Sequence, residues 1–175
     1  RVPGVVGFPI PGVNIGLADD GEILVKGPNV MRGYYNNEES NKKCFTDDGW
    51  FCTGDIGEMT KQGLKLITRK DRIFKLTNAE KVIPTELENM ITGKCHYISH
   101  ALVEGSGKNY AVALLFPDKI VLHEAMNGNS VKIKDCVCPQ SMGDLSSCLK
   151  KCLNEMNCNL KQKFAKIKVA MLVDD

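Results

Sequence analysis

Residues 50–72 read WFCTGDIGEMTKQGLKLITRKDR, and they carry a structural signal and a chemical one. Short apolar runs punctuated by the glycines of DDG (47–49) and KQG (61–63) predict two strands joined by turns. Asp55 stands directly behind Thr53 and Gly54, on what reads as a tight glycine turn. The second strand then runs out into a dense charge cluster, Arg69, Lys70, Asp71 and Arg72. A rigidly held carboxylate accepts hydrogen bonds from two neighbouring hydroxyls at once, the pattern that a ribose presents. An arginine at a strand end adds a planar fork of donors within reach of a ribose or an α-phosphate oxygen. The plainer reading of the same residues is a turn-capping aspartate and an arginine paired with a surface acid.

Upstream, residues 1 to about 70 are dense in Gly and Pro with β-branched runs between them, and ADDG (18–21) predicts a hairpin connection before the strand EILVKG. NNEESNKK (36–43) is polar enough for one or two exposed helical turns. Downstream the grammar changes. IFKL and EKVI predict short strands around a turn at Thr77–Ala79, and Pro84 opens the helix PTELENMITGK, closed by Gly93. A strand pair (98–106 and 109–117), a helix capped by Asp118, a longer helix capped by Asp144 with Leu145, Leu149, Leu153 and Met156 or Leu160 at helical spacing, and a final strand at 166–175 follow. The expected fold class is α+β: a β-rich first part, residues 1–70, and a small α+β domain, residues 71–175.

The chain has 175 residues, 43% hydrophobic and 25% charged, with a net charge of +2. That is enough apolar material for a core, and the balance gives no reason to expect nucleic acid as a partner. No apolar run is long enough to cross a membrane, and the N-terminus RVPGVVGFPIPG lacks the charged and apolar segments of a signal peptide. Eight cysteines in a chain of this size fit a reduced, cytoplasmic setting, peripheral to a membrane at most. Cys136, Cys138, Cys148, Cys152 and Cys158 cluster late but lack paired C-x2-C or C-x4-C knuckles, so no metal site is expected and half-buried helical cysteines are.

Three segments in order, GEILVKGPNVMRGYYNNEES (21–40), the stretch ending in TRKDR at 68–72, and FKLTNAEKVIPTELEN (74–89), resemble the adenylate-forming enzymes. GVVGFPIPGVNI (4–15) fits the same family. The third segment is most similar to long-chain fatty acyl-CoA synthetases, with two departures: Ala79 where that pattern has Gly, and Arg72 where an acid is usual. The resemblance implies a two-step reaction in which a carboxylic acid attacks the α-phosphorus of ATP, with Mg present, and the acyl-adenylate then passes to coenzyme A. It implies that Asp55 and Arg69 bind the ribose, that Asp71 is the hinge between a large N-terminal domain and a small mobile one, and that Asn78, Ala79 and Glu80 form a turn at the thiol channel. Residues 1–70 would then be the last β subdomain of the large domain.

The family's Ser/Thr/Gly-rich phosphate loop does not occur in the sequence, and its adenylation lysine is expected after a strand like AKIKVAMLVDD. Lys166 and Lys168 lie within that strand region and receive no catalytic role. The chain is therefore expected to be an inactive fragment with no catalytic residue of its own. An acyl-AMP ligase that loads a carrier protein is the alternative enzyme, but residues 68–84 leave no room for the insertion such ligases carry near the hinge. A non-catalytic relic of the fold is the other alternative, and the intact TGD and Arg69 stand against it.

Overall fold

In a computed structural model, which describes residues 4–127, 139 and 141–173, the chain forms two compact units, Arg1–Ile73 and Phe74–Asp175. The first is an antiparallel sheet of five strands, β1 (Val5–Gly7), β2 (Asn14–Leu17), β3 (Glu22–Lys26), β4 (Phe51–Thr60) and β5 (Gly63–Arg69), in the order β1-β5-β4-β3-β2. The hairpin at ADDG forms between β2 and β3, with Ala18 N–H bonded to the Glu22 carbonyl and Gly21 at a φ of 84°. Helix α1 (Glu38–Cys44) is capped by Asn37, whose side chain accepts from the Ser40 amide, and buries none of its residues. Among the described residues of this unit, the buried apolar ones are Ile23, Ile56 and Leu64. Val6, Phe8, Ile10 and Tyr35 stay largely exposed.

Strand β4 bulges where the sequence suggested a turn. Between the pairs Leu24–Cys52 and Glu22–Ile56, β3 contributes Ile23 while β4 contributes Thr53, Gly54 and Asp55. The surplus residues form a bulge inside a continuous strand, with Gly54 at a φ of 73°. Asp55 therefore stands on a sheet, in register with Arg69, rather than on a free turn. A cross-strand neighbour, invisible in local sequence, makes the difference.

The second unit opens with a two-stranded ladder, β6 (Phe74–Lys75) and β7 (Lys81–Val82), shorter than the sequence suggested. Helix α2 (Pro84–Lys94) covers the expected stretch PTELENMITGK, with Cys95 as its C-cap. Strands β8 (Ile98–Glu104) and β9 (Ala111–Pro117) pair antiparallel, and β10 (Ile167–Leu172) adds parallel to β9. Helix α3 (Lys119–Met126) is capped by Asp118, which accepts from the Ile120 and Val121 amides. Helix α4 (Met142–Asn159) starts one turn earlier than expected: Ser141 is the cap, accepting from the Asp144 amide while its hydroxyl donates to the Asp144 carboxylate. Leu145, Leu149, Leu153 and Met156 of α4 join Ile91, Val103, Ala113 and Leu115 in one continuous core. Cys148 and Cys152 pack half-buried against it, while Cys136 and Cys138 lie outside the described residues.

Candidate functional site

Asp55 and Arg69 meet directly. Their register across β4 and β5 sets the Asp55 carboxylate 3.1 Å from the Arg69 guanidinium, with the aspartate side chain 30% exposed and the arginine 58%. Both groups thus face solvent with part of their donor and acceptor capacity open to a ligand. The bulge that presents Asp55 has its polar groups satisfied nearby: the Thr53 hydroxyl donates to the Ile23 carbonyl at 2.8 Å and accepts from the Asp55 amide at 3.1 Å. A Cβ at Gly54 would stand 3.3 Å from the Arg69 guanidinium, so a larger residue there would crowd the pair as well as strain the backbone.

Glu22, which the sequence reading passed over, is one of the few buried charged residues described. One of its carboxylate oxygens accepts from the Gly54 amide at 2.9 Å, and the other takes the Lys70 ammonium at 2.6 Å. Lys70 also bonds Asp20 at 2.7 Å, and Asp20 in turn accepts from the Glu22 amide. Asp20 and then Glu22 hold the Lys70 ammonium protonated well above the usual lysine range, while Lys70 first, and the Glu22 amide next, hold the Asp20 carboxyl below its usual 3.8. The signal that could have found Glu22 is an acid opening an otherwise apolar strand, EILV, where a buried charge requires partners. Burial, with the nearby Glu22 charge adding to it, pushes the Cys52 thiol up, which keeps it protonated and a poor nucleophile.

Asp71 sits exposed on a 3-10 turn formed by Lys70–Arg72, bounded by the Ile73 amide bonded to the Lys70 carbonyl. Asn78, Ala79 and Glu80 form the tight turn between β6 and β7. The Ala79 amide donates to the Leu76 carbonyl, the Asn78 side chain accepts from the Glu80 amide, and the Thr77 hydroxyl bonds Asn109. Ala79 has a φ of 64°, the left-handed region that glycine occupies without penalty, which is the physical reason for the glycine in the pattern it departs from. Lys166 closes a 3-10 turn ahead of β10, and Lys168 lies within that strand over the Tyr110 ring. Among the described residues no group of three or more His, Cys, Asp and Glu could hold a metal ion, and no helix is long and apolar enough to cross a membrane. A groove of about 350 Å³ in the second unit, lined by Val82, Leu87, Met90 and Leu160, contains none of these residues.

A five-stranded antiparallel sheet followed by a small α+β unit is the fold seen in solved adenylate-forming enzymes. The chain superposes on ATP-bound MatB from Rhodopseudomonas palustris with a TM-score of 0.70 and 26% identity, covering 100% of this chain and 33% of that one. The family model described as the AMP-binding enzyme C-terminal domain matches residues 71–173, and the chain belongs to that family. It is 42% identical over 117 residues to the long-chain-fatty-acid–CoA ligase FadD15 of Mycobacterium tuberculosis, covering 66% of this chain and 19% of that protein. It is 39% identical over 132 residues to long-chain-fatty-acid–CoA ligase 6 of Rattus norvegicus, covering 68% of this chain and 19% of the relative. The chain thus spans about a fifth of the length of the ligases it resembles.

Proposed function

We propose that the chain is the C-terminal part of an ATP-dependent acyl-CoA synthetase that activates a fatty acid as its acyl-adenylate and passes the acyl group to coenzyme A. The observation that carries this reading is the Asp55–Arg69 pair, 3.1 Å apart and opposed across two hydrogen-bonded strands. A carboxylate anchored this way can accept both hydroxyls of a ribose, while the guanidinium beside it serves the ribose or an α-phosphate oxygen. The names of the relatives support a long-chain fatty acid as the substrate.

In this reading residues 1–70 close the large nucleotide-binding domain and residues 71–175 form the small mobile one. In the first step the fatty acid's carboxylate attacks the α-phosphorus and pyrophosphate leaves; in the second, the thiol of coenzyme A displaces AMP. Asp71 suits a hinge because its side chain is exposed, so its dihedrals can rotate without unburying apolar surface. The Asn78–Ala79–Glu80 turn, with its small left-handed residue, suits the narrow path of a thiol. The Mg²⁺ that accompanies ATP finds no ligand cluster among the described residues, and no role here depends on it. The setting we propose is cytoplasmic.

The test is Asp55→Ala in the full-length protein. ATP affinity should fall by about 1–3 kcal/mol, with coenzyme A affinity unchanged. An unaltered ATP affinity would remove the ribose role. The hinge is tested separately by Asp71→Pro, which fixes φ: pyrophosphate exchange and thioester formation should be affected to very different degrees, and equal loss of both overturns the hinge.

A further inference from the structure

We infer that Glu22 is a positioning residue for the nucleotide site, its one carboxylate tying together the two backbone segments that present Asp55 and Arg69. The inference rests on the ribose-binding reading of that pair. Asp55 follows Gly54, whose amide bonds one oxygen of Glu22 at 2.9 Å, and Arg69 precedes Lys70, whose ammonium bonds the other at 2.6 Å. The Asp55–Arg69 pair is therefore clamped at the residue next to each partner by a side chain that touches neither.

Three features make this a clamp rather than a surface ion pair. The Glu22 side chain is only 10% exposed, against 46% for Lys70, so the shared carboxylate is the fixed member of the pair. Its target on β4 is the amide of the bulge glycine, a group that the irregular β3–β4 register leaves without an ordinary ladder partner. The hairpin that carries Glu22 is tied to the same cation through Asp20, so the β2–β3 turn, the β4 bulge and the end of β5 meet at the Glu22–Lys70 pair. An ionised carboxylate suits this position because both its oxygens accept. A glutamine of the same shape would turn an N–H group toward either the Gly54 amide or the Lys70 ammonium, and both are donors.

The experiment measures ATP and coenzyme A dissociation constants for the full-length protein and its Glu22→Gln, Lys70→Met, Asp55→Ala and doubly substituted Glu22→Gln/Lys70→Met variants. Glu22→Gln should weaken ATP about tenfold and Lys70→Met about threefold, with coenzyme A affinity unchanged in both. The double variant should be no weaker than Glu22→Gln alone, because both residues act through one bridge. Equal weakening of ATP and coenzyme A would make Glu22 a general structural residue and overturn the inference, as would additive losses in the double variant. If Glu22→Gln fails to fold, the half-exposed Lys70→Met decides alone: weaker ATP with coenzyme A unchanged supports the clamp, and unchanged ATP overturns it. Loss of ATP affinity in Asp55→Ala with none in Glu22→Gln overturns the clamp and leaves the ribose reading standing, whereas no loss in Asp55→Ala overturns both.

Discussion

The two units are held together by different means. In the unit ending at Ile73, the buried apolar residues described are Ile23, Ile56 and Leu64, and Glu22 and Thr68 are buried among the same strands. In the unit beginning at Phe74, apolar side chains from β6, β7, α2, β8, β9, α3, α4 and β10 form one continuous core, and Glu88, bonded to the Val103 amide at 2.9 Å, is the buried charged residue described there. Under the function proposed above, the contrast follows from what each unit must present. A site that takes a polar ligand needs open carboxylate, guanidinium and irregular backbone, and each requires polar partners in place of apolar packing. The second unit has no such demand on its core, and burial of apolar surface does most of the stabilising.

If this contrast is right, deletion of core methyl groups should separate the units most clearly. Ile91→Ala, at a fully buried position of α2, should cost the second unit about 4 kcal/mol. Ile23→Ala should cost the first about 2 kcal/mol, because a thin core relaxes more readily around the gap. Amide hydrogen exchange, which reports local opening free energies, reads the two separately; equal costs would break the comparison. Next in size is Glu88→Gln, which leaves the Val103 amide an acceptor but removes a buried charge, and should shift the exchange of Val103 by no more than about 1–2 kcal/mol.

A pH titration sharpens the comparison from the electrostatic side. Asp20 has a folded pKa below its ordinary 3.8, so its contribution is present above that value and is lost as pH falls through the depressed one. Lys70 has a raised folded pKa, so its contribution is complete below the ordinary 10.5 and is lost only as pH rises through the folded value. The first unit should therefore hold a level stability from about pH 5 to pH 9 and weaken in acid below about pH 4, by about 1 kcal/mol or less given how exposed Asp20 and Lys70 are. Lys70→Met should reduce the part of that acid dependence due to Asp20 and leave the share that the Glu22 amide supplies, measured as the exchange rate of β3 and β4 amides against pH. The smallest effect expected is at Ala79: Ala79→Gly relieves a left-handed alanine and should stabilise the second unit by about 0.5 kcal/mol, the relief being partly offset by the greater freedom of glycine in the unfolded chain. A loss of stability there would mean that the turn gains more from the methyl group than from the relaxed dihedral.

Much of the architecture was written in local patterns. The hairpin at ADDG, the start of α2 at Pro84, the Asp118 cap of α3 and the buried stripe Leu145, Leu149, Leu153, Met156 each follow from the chemistry of a few adjacent residues or from a single period. The pairing of residues 98–104 with 111–117 needed only a short loop between two apolar runs. Where local signals competed, the nearer one was misleading. Asp144 suits an N-cap, but Ser141, three residues earlier, takes the cap and bonds Asp144 in return. Helix α2 spans PTELENMITGK as expected, Pro84–Lys94, its buried face anchored by Leu87 and Ile91.

By itself the sequence determined which groups stand where: a carboxylate behind Thr53–Gly54 and an arginine at the end of an apolar run are set by residue type and order alone. Only the tertiary structure decided how they meet. The bulge that lifts Asp55 within β4, the 3.1 Å contact with Arg69, and the convergence of Asp20, Glu22 and Gly54 with Lys70 all depend on strand register between segments as far apart as residues 22 and 70. Register is a property of the whole sheet, chosen by which side chains can be buried together and which backbone groups can find partners. No window of neighbouring residues contains that choice.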